Sequence, residues 1–447
     1  MNKKLQDRRI AILGLGASNL PVITYLVAHD IRRLTVFDTR QNPPFVEQLP
    51  RGIDLRLGPF SYDQLREFEL LVVSPGLSIH EGAIAQALSA GIEVIGDVEL
   101  FAHEVRAPVV GVTGSNGKST VTALVAWMAQ KAGIHALAGA NFGNSVFDIL
   151  SDEVELYVLE LSSFELETTR SLQLRAGVIL NVSPDHLDRY AGSIDRYAEA
   201  KQRIFMHCEH PICNRDDPRT YPGGRMSAIS FGRDGRGYGL VSHEGRTFLA
   251  CGGEPLIAAD ELKICGEHNQ LNALAALAVC DCLNIERTAQ YAGLMTFQGL
   301  AHRCQKVREL DGITFYNDSK ATNVASTEAA IAGLRSRHRR GIILLAGGQG
   351  KGQDFTPLRR YLGHEIPCMF CFGRDARELC DLDSRHTRQV VNMRQALKEA
   401  YRMAAPGQAI LLSPACASLD QFKGYDERGR VFVSLVNDLA ARDGNQA

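Results

Sequence analysis

The sequence has no excess of charge of either sign. Its 49 Lys and Arg residues against 51 Asp and Glu leave a formal net charge of −2. The basic surplus by which nucleic-acid and membrane-surface proteins announce themselves is therefore missing, and any anionic ligand must be held by local sites. No stretch approaches the ~18 uninterrupted apolar residues of a membrane-spanning helix. Short repeats and low-complexity linkers are also lacking, so domain boundaries are legible only to within several residues. Cysteine is absent before Cys208 and totals an odd 11; free thiols in a reducing compartment explain this better than a disulfide framework, and the cytoplasm is the expected location. The CxxC pair Cys368 and Cys371 sits inside the apolar run IPCMFCFG with no second CxxC, which reads as a buried strand rather than a zinc site. At the N-terminus, MNKKLQDRR followed by IAILGLGA imitates a secretory leader, but the apolar run is short and broken by glycines, as in a strand entering a turn.

What remains is ordinary globular composition, 45% hydrophobic and 22% charged over 447 residues, and a length that suits about three domains at ~150 residues each. From residue 8 to 96, short apolar runs (RIAILGLG, LTVFD, LLVVSPG, IEVIG) alternate with helical stretches, the pattern of a parallel, helix-flanked sheet. The pattern restarts at PVVGVTGSNGKSTVTALVAWMAQKAG, continues through LYVLEL, AGVILNVS and the helix NQLNALAALAVCDCL, and restarts near residue 303 with GIILLAGG, CMFCFG, MRQALKEAYRMA and AILLSP. The expected fold is α/β in three domains: 1–96, 97–302 with a mostly parallel sheet, and 303–447.

The strongest local signal is GVTGSNGKST, Gly111 to Thr120. A loop between strand and helix turns several backbone N–H groups toward phosphate oxygens, and the helix N-terminus adds a favourable dipole. Gly114, Ser115, Asn116, Gly117, Lys118, Ser119 and Thr120 form the cradle, with Lys118 reaching terminal phosphates and the Ser119 hydroxyl able to ligate Mg²⁺. The usual first glycine is replaced by Val112, with Gly111 one residue early and Gly114 two late. A nucleoside triphosphate is the expected ligand. An earlier loop, GLGASN, has two of the three glycines of a dinucleotide fingerprint, and Asp38 ends the next strand at about the 20-residue spacing of a ribose-binding carboxylate. A bare turn and a nucleotide site are both compatible with it, and Thr39 and Arg40 add donors suited to a base or a phosphate.

Glu160 ends the apolar strand LYVLE at the ligand edge of a parallel sheet, where it reads either as a Mg²⁺ ligand or as a carboxylate paired with a structural lysine. Asp185, His186 and Asp188 follow the next strand in VSPDHLDRY. Lys201, in AEAKQRIF, reads on its own as a solvated residue of an amphipathic helix.

Taken together, GSNGKST, LELSSFELE, SPDHLDRY with its lysine helix, GEHNQLNALAAL, GLAHRCQ, FYNDSKATN and LSPACASLDQFKGYDERG stand in the order and spacing of the Mur ligases, and this resemblance spans essentially the whole chain. It implies a Rossmann-like UDP-binding domain, a central P-loop ATPase-like domain and a Rossmann-like amino-acid domain. It further implies an ATP-dependent ligase of cytoplasmic peptidoglycan precursor synthesis, and so a part in cell-wall biogenesis, cell shape and cell division. In that chemistry ATP phosphorylates a substrate carboxylate, and an amine displaces phosphate through a tetrahedral intermediate. YNDSKATN and SPACASLDQF are similar to the members that join D-glutamate to UDP-N-acetylmuramoyl-L-alanine.

By the same resemblance Lys118, Glu160, His186 and Lys201 are catalytic. Ser119 and Glu160 hold one Mg²⁺, and a carbamylated Lys201 with His186 supports a second. Asn269, Arg303 and Asp318 contact the adenine nucleotide, with His302 beside them. Ser18, Asp38, Thr39, Arg40, Ser74, Gly76 and Asn141 serve the UDP-linked substrate, and Lys320, Thr322, Lys351, Ser418, Leu419 and Tyr425 serve D-glutamate. A monomer is expected, with no nucleic acid bound and no membrane insertion. Two positions depart from the family pattern: Ala301 stands where a proline is common, and Tyr425 where a phenylalanine is. A nicotinamide oxidoreductase built on residues 10 to 40 would leave the Lys118 loop unexplained. A non-catalytic nucleotide switch would have no use for Glu160 and His186. The arginine motif of diaminopimelate-adding members is absent, and Lys320 and Thr322 suit an acidic side chain.

Overall fold

In the run IAILGLG, Ile10 and Ile12 pack with Val36 and Val72, while Ala11 and Leu13 pack with Phe37, Leu71 and Val73. That alternation is the period of a strand buried on both faces. In the computed structural model, which describes residues 5–224, 227–264, 266–335 and 337–443, these runs form β1 (Ile10–Leu13), β2 (Leu34–Asp38), β3 (Asp54–Leu57), β4 (Leu70–Val73) and β5 (Glu93–Ile95). All pair in parallel in the order β3-β2-β1-β4-β5. The order reverses at β1, so the loops after β1 and β4 open side by side at the carboxyl edge, where ligands bind in such sheets. Strand β3, Asp-Leu-Arg-Leu, is a partly exposed edge and has no apolar run to announce it in the sequence.

The second sheet comprises β6 (Val109–Thr113), β7 (Ala136–Ala140), β8 (Leu156–Glu160), β9 (Leu174–Ile179), β10 (Cys208–Asn214), β11 (Ile229–Phe231), β12 (Tyr238–His243), β13 (Arg246–Cys251) and β14 (Glu254–Ala258). Its order is β14-β13-β12-β11-β10-β9-β6-β8-β7, parallel from β7 through β12 and then an antiparallel meander. The helix Lys118–Lys131 buries Val121, Leu124, Val125 and Met128, which fixes the phosphate loop at its N-terminal end. Strand β6 lies between β8 and β9, so the loops following these three strands meet at one edge.

The third sheet comprises β15 (Gln305–Leu310), β16 (Ile313–Asn317), β17 (Ile342–Gly347), β18 (Cys368–Phe372), β19 (Thr387–Gln389) and β20 (Ala409–Leu412), in the order β15-β16-β20-β17-β18-β19. Only β15 is antiparallel to its neighbour. Cys368 and Cys371 are buried in β18 as expected; three residues apart on a strand, they pack into cores on opposite faces, so they cannot grip one ion. The chain divides into two compact units, one running to Glu261 and including Leu271–Thr296, the other formed by Leu262–Gln270 and the chain from Phe297 onward. Among the described residues no helix is long and apolar enough to cross a membrane. Of the N-terminal segment that imitates a leader, residues 1–4 lie outside the described residues.

Candidate active site

The GSNGKST loop is shaped by its glycines. Gly117 adopts φ +86° as the residue before the helix Lys118–Lys131, and a Cβ there would sit 2.5 Å from Asn272 Oδ1. Only glycine satisfies both the left-handed backbone and the close approach. Asn181, just after β9, braces the loop from below: its Oδ1 accepts from Asn116 N at 2.9 Å and its Nδ2 donates to Asn116 O at 3.1 Å. The Ser115 hydroxyl donates to Ser183 O and accepts from Ser183 N, both at 2.9 Å. Lys118 Nζ folds back onto the loop carbonyls of Gly114 (2.8 Å) and Ser115 (3.0 Å), holding its charge over the loop.

Glu160 is 3% exposed. Its side-chain partners among the described residues are the Ser119 hydroxyl, which donates to Oε2, and Asn141 Nδ2, which donates to Oε1 at 2.8 Å. A hydroxyl and a buried carboxylate at the foot of a phosphate loop form the hard-oxygen donor set magnesium prefers, the remaining positions falling to phosphate oxygens and water. No group of three or more His, Cys, Asp or Glu side chains able to hold a metal occurs among the described residues, and this kind of site needs none.

Lys201 overturns the reading of a solvated helix residue. The helix Ile194–Gln202 turns Tyr197, Ala198 and Lys201 inward, and Lys201 is 1% exposed. Its Nζ donates to Gly114 O at 3.0 Å and lies 4.4 Å from the centroid of the Tyr197 ring. Burial, and next the charge of Lys118, push its ammonium well below the ordinary lysine range, against the pull of Asp185, Glu160 and Glu165, so the amine is driven toward its neutral form. His186, at φ 52°, is half exposed, with Nε2 3.7 Å from Asp185 Oδ2 and its ring edge-on to Phe164 at 5.3 Å.

In the first sheet, Asp38 is 2% exposed. It accepts from Leu15 N (2.8 Å), Arg40 N (2.9 Å) and the Arg40 guanidinium (2.7 and 2.8 Å). Burial raises its carboxyl, but the Arg40 side chain and these amide donors outweigh it and hold it below the usual range. Arg40 Nη2 also reaches Leu15 O at 3.0 Å, so Asp38, Arg40 and the GLGASN loop form one clasp. Ser18 starts the helix Asn19–Ala28 and its carbonyl accepts from Ser145 Oγ at 3.3 Å. Ser74 follows β4 and packs beneath Gly14, so both loops of this edge are in contact. Thr39 is exposed beside the clasp.

In the other unit, the loops after β16, β17 and β20 carry the remaining expected residues. Asp318 is buried, accepting from Cys304 N (3.0 Å) and Ser413 Oγ (2.7 Å); burial pushes its carboxyl up to about 7. Lys320 Nζ donates to the Tyr425 hydroxyl at 2.9 Å and lies 4.3 Å from that ring's centroid, so the tyrosine that departs from the family pattern anchors a lysine. Lys351 sits at φ 57° after β17, Thr322 is half-buried and Ser418 buried after β20, and Leu419 is 62% exposed. Asn269 lies in the first turn of the helix Glu267–Cys282, and Arg303 and His302 precede β15, with His302 Nδ1 accepting from Asn317 Nδ2 at 2.9 Å.

Family models match three consecutive segments: the Mur ligase MurD-like N-terminal domain over residues 8–96, the Mur ligase middle domain over 112–280, and the Mur ligase glutamate ligase domain over 302–416. The UDP-N-acetylmuramoylalanine--D-glutamate ligase of Escherichia coli (strain K12) is 44% identical over 437 residues, 97% of this chain and 99% of that protein. The chain belongs to the Mur ligase family. The protein of the same name from Salmonella typhimurium is 43% identical over 97% of the chain and 99% of its own length. Solved Mur ligases share the fold at low identity. UDP-N-acetylmuramate-alanine ligase MurC from Thermotoga maritima has a TM-score of 0.63 at 17% identity, covering 96% of this chain and 99% of its own. MurF from Acinetobacter baumannii has 0.62 at 17%, covering 96% and 90%.

Two side chains of this Mur ligase that sequence reasoning passed over each brace loops within their own unit. Asn181 looks like any polar residue after a strand. Arg428 looks like a solvated charge on a terminal helix, yet it is fully buried. It donates to Ser319 O (2.7 Å) and Oγ (3.0 Å), to Cys416 O (3.1 Å) and to Gly347 O (3.4 Å), joining the loops after β16, β17 and β20. Its only signal in the sequence was its place inside the GYDERGRV motif.

Proposed function

We propose that this Mur ligase is an ATP-dependent amide-forming enzyme that joins D-glutamate to UDP-N-acetylmuramoyl-L-alanine, as a cytoplasmic monomer of peptidoglycan precursor synthesis. The observation that carries the reading is the chain Ser119–Glu160–Asn141 at the mouth of the phosphate loop, with buried Lys201 against the same loop. The relatives named above, similar over nearly their whole length, support the substrates. In this reading residues 1–96 hold UDP, residues 97–302 hold ATP, and residues 303–447 hold the amino acid.

The terminal carboxylate of the alanyl group is a poor electrophile because its oxygen is a poor leaving group. Transfer of the γ-phosphoryl group to that oxygen gives an acyl phosphate, a mixed anhydride whose phosphate is a good leaving group, and ADP departs. Lys118, anchored by Gly114 O and Ser115 O, offsets the charge spreading over the transferring phosphoryl oxygens. The amine of D-glutamate then adds to the activated carbonyl and loses its proton. The tetrahedral adduct collapses by expelling phosphate, leaving the amide. Ser119 and Glu160 would hold Mg²⁺, which when bound neutralises phosphate charge. Asn141 orients the Glu160 carboxylate, and the Asp38–Arg40 clasp with Ser18, Ser74 and Gly76 seats the UDP end. Lys320, fixed on Tyr425, supplies a cation for a dicarboxylate, with Thr322, Lys351 and Ser418 as further donors.

Carbamylation of Lys201 belongs to the same reading. A neutral amine adds to CO₂, forming N–C(=O)O⁻ and releasing one proton, and a site whose burial disfavours the ammonium form of Lys201 favours this. The product would bring two hard oxygens to a second Mg²⁺ beside His186. Intact-protein or crystallographic analysis of active enzyme should show the added CO₂, and activity should fall in bicarbonate-depleted buffer; an unmodified amine with full activity would refute it.

The decisive assay is phosphate release from ATP, Mg²⁺ and UDP-N-acetylmuramoyl-L-alanine with amino acids supplied singly. D-Glutamate alone should support turnover, and equal turnover with L-alanine would sink the assignment. Lys118→Ala should lower release by about 10²- to 10³-fold with an unchanged melting temperature.

A further inference from the structure

Arg189 lies in the segment that carries His186, and its side chain leaves that segment altogether. In this segment His186 and Ala191 are both left-handed, at φ 52°, and bracket the 3₁₀ turn Leu187–Tyr190. From this turn the Arg189 guanidinium lies 4.3 Å from the centroid of Phe164. Its far end donates to two successive carbonyls, Gly76 O at 3.3 Å and Leu77 O at 3.0 Å. Leu77 N in turn bonds Ser74 O at 3.0 Å, so these acceptors belong to the tight turn that follows β4.

Phe164 links the same residues from the other side. It follows Glu160 by one turn of chain, stacks on Tyr190 at 6.2 Å with rings 9° apart, and meets His186 edge-on at 5.3 Å. One side chain therefore touches the loop holding Ser74 and Gly76, the segment after Glu160 and, through Phe164, the His186 ring. A planar guanidinium is suited to this because it stacks with one face and donates with its edge. A neighbouring cross-link, His80 Nε2 to Glu167 Oε1 at 2.9 Å, is peripheral, with the histidine half exposed.

We infer that Arg189 is a positioning residue that fixes the distance between the seat of the substrate's UDP end and the seat of its reacting carboxylate. The inference rests on the function proposed above. A long substrate held at both ends gains from a rigid span, because misplacing one end by a fraction of an ångström loses the alignment won at the other. Arg189 touches no substrate atom in this role. It acts through the turn at Gly76 and through Phe164.

The test compares wild type, Arg189→Ala, Arg189→Lys and Phe164→Leu in the phosphate-release assay, with UDP alone as a competitive inhibitor. Arg189→Ala should raise KM for the UDP-linked substrate about tenfold, the loss of one to two hydrogen bonds of positioning. It should lower kcat as well, while the inhibition constant of UDP and the KM for ATP stay within about twofold. Arg189→Lys, which keeps a cation over Phe164, should recover part of the loss. Phe164→Leu should reproduce the defect and add little to it in the double variant. Equal weakening of UDP and of the full substrate, additive single effects, or unchanged kinetics in Arg189→Ala would each overturn the inference. Phe164→Leu carries the same ratio if Arg189→Ala fails to fold. Wild-type turnover with D-glutamate tests the underlying function separately.

Discussion

At the scale of single residues, burial decides what each ionisable group does. Lys201 and Asp318 are opposite in charge and both are driven toward neutrality because desolvation penalises whichever form is charged. For Asp318 the consequence is measurable. Its carboxyl keeps a proton up to about 7 in the folded chain against an ordinary value of 3.8. Between those values the native state binds more protons than the unfolded one, so this group's stabilising contribution is complete below the ordinary value and is lost as pH rises toward 7. The melting temperature of the transition that includes residues 303–443 should fall across that window, and Asp318→Asn should flatten the slope. A slope that persists in the variant would assign it to another group. Asp38 shows the reverse balance, since a guanidinium and two amides overcome its burial. The residue types at these positions were legible in the sequence. Their protonation was not, because it depends on donors brought from distant parts of the chain.

At the scale of elements, loops at strand ends carry the chemistry and buried polar side chains fix the loops. Asn181 braces the phosphate loop from the end of β9, and Arg428 joins three loops of the third sheet. Arg428 has no carboxylate partner among those bonds; its acceptors are carbonyls and a hydroxyl. Burial lowers its guanidinium to about 10, still charged at neutral pH. Arg428→Met preserves much of the volume but strands buried carbonyls, each worth ~1–3 kcal/mol when unsatisfied. The urea midpoint should drop by the equivalent of about 3 kcal/mol, and KM for D-glutamate should rise because Lys320 and Ser418 lose their common anchor. A variant as stable as wild type would show that the loops hold their shape unaided. The adjoining Gly429 has a matching constraint, since a Cβ there would stand 2.2 Å from His302 Nδ1.

The elements themselves were read unevenly. Strands buried on both faces, such as β1, β4, β17 and β20, stand out as continuous apolar runs. Edge strands did not: β3 and β15 alternate with charged side chains, and β7 is the small-residue run ALAGA; the interior strand β10 was masked instead by Pro211. The meander β12–β14 lacks a helix between its strands, so the alternation that announced the parallel sheets gave no sign of it.

At the scale of the whole molecule, near-neutral charge is compatible with several anionic ligands, because in the proposed function each is met by local cations: Arg40 in the first sheet, Lys118 in the second, Arg303, Lys320 and Lys351 beyond. No surface-wide basic field is needed. No disulfide joins cysteines among the described residues. Reductant should therefore leave the melting temperature unchanged, and a fall on reduction would reveal a bond absent from the described residues.

The sequence by itself determined the repeated α/β pattern, the phosphate loop and the family, because these rest on local periodicity and on short motifs whose spacing survives without a fold. It could not determine that Lys201 is buried, that Glu160 answers to Ser119 and Asn141, or that Arg189 and Arg428 reach across to carbonyls far along the chain. Those facts depend on which strands become neighbours. A side chain's solvent and partners are properties of the packed structure, and only tertiary structure decides them.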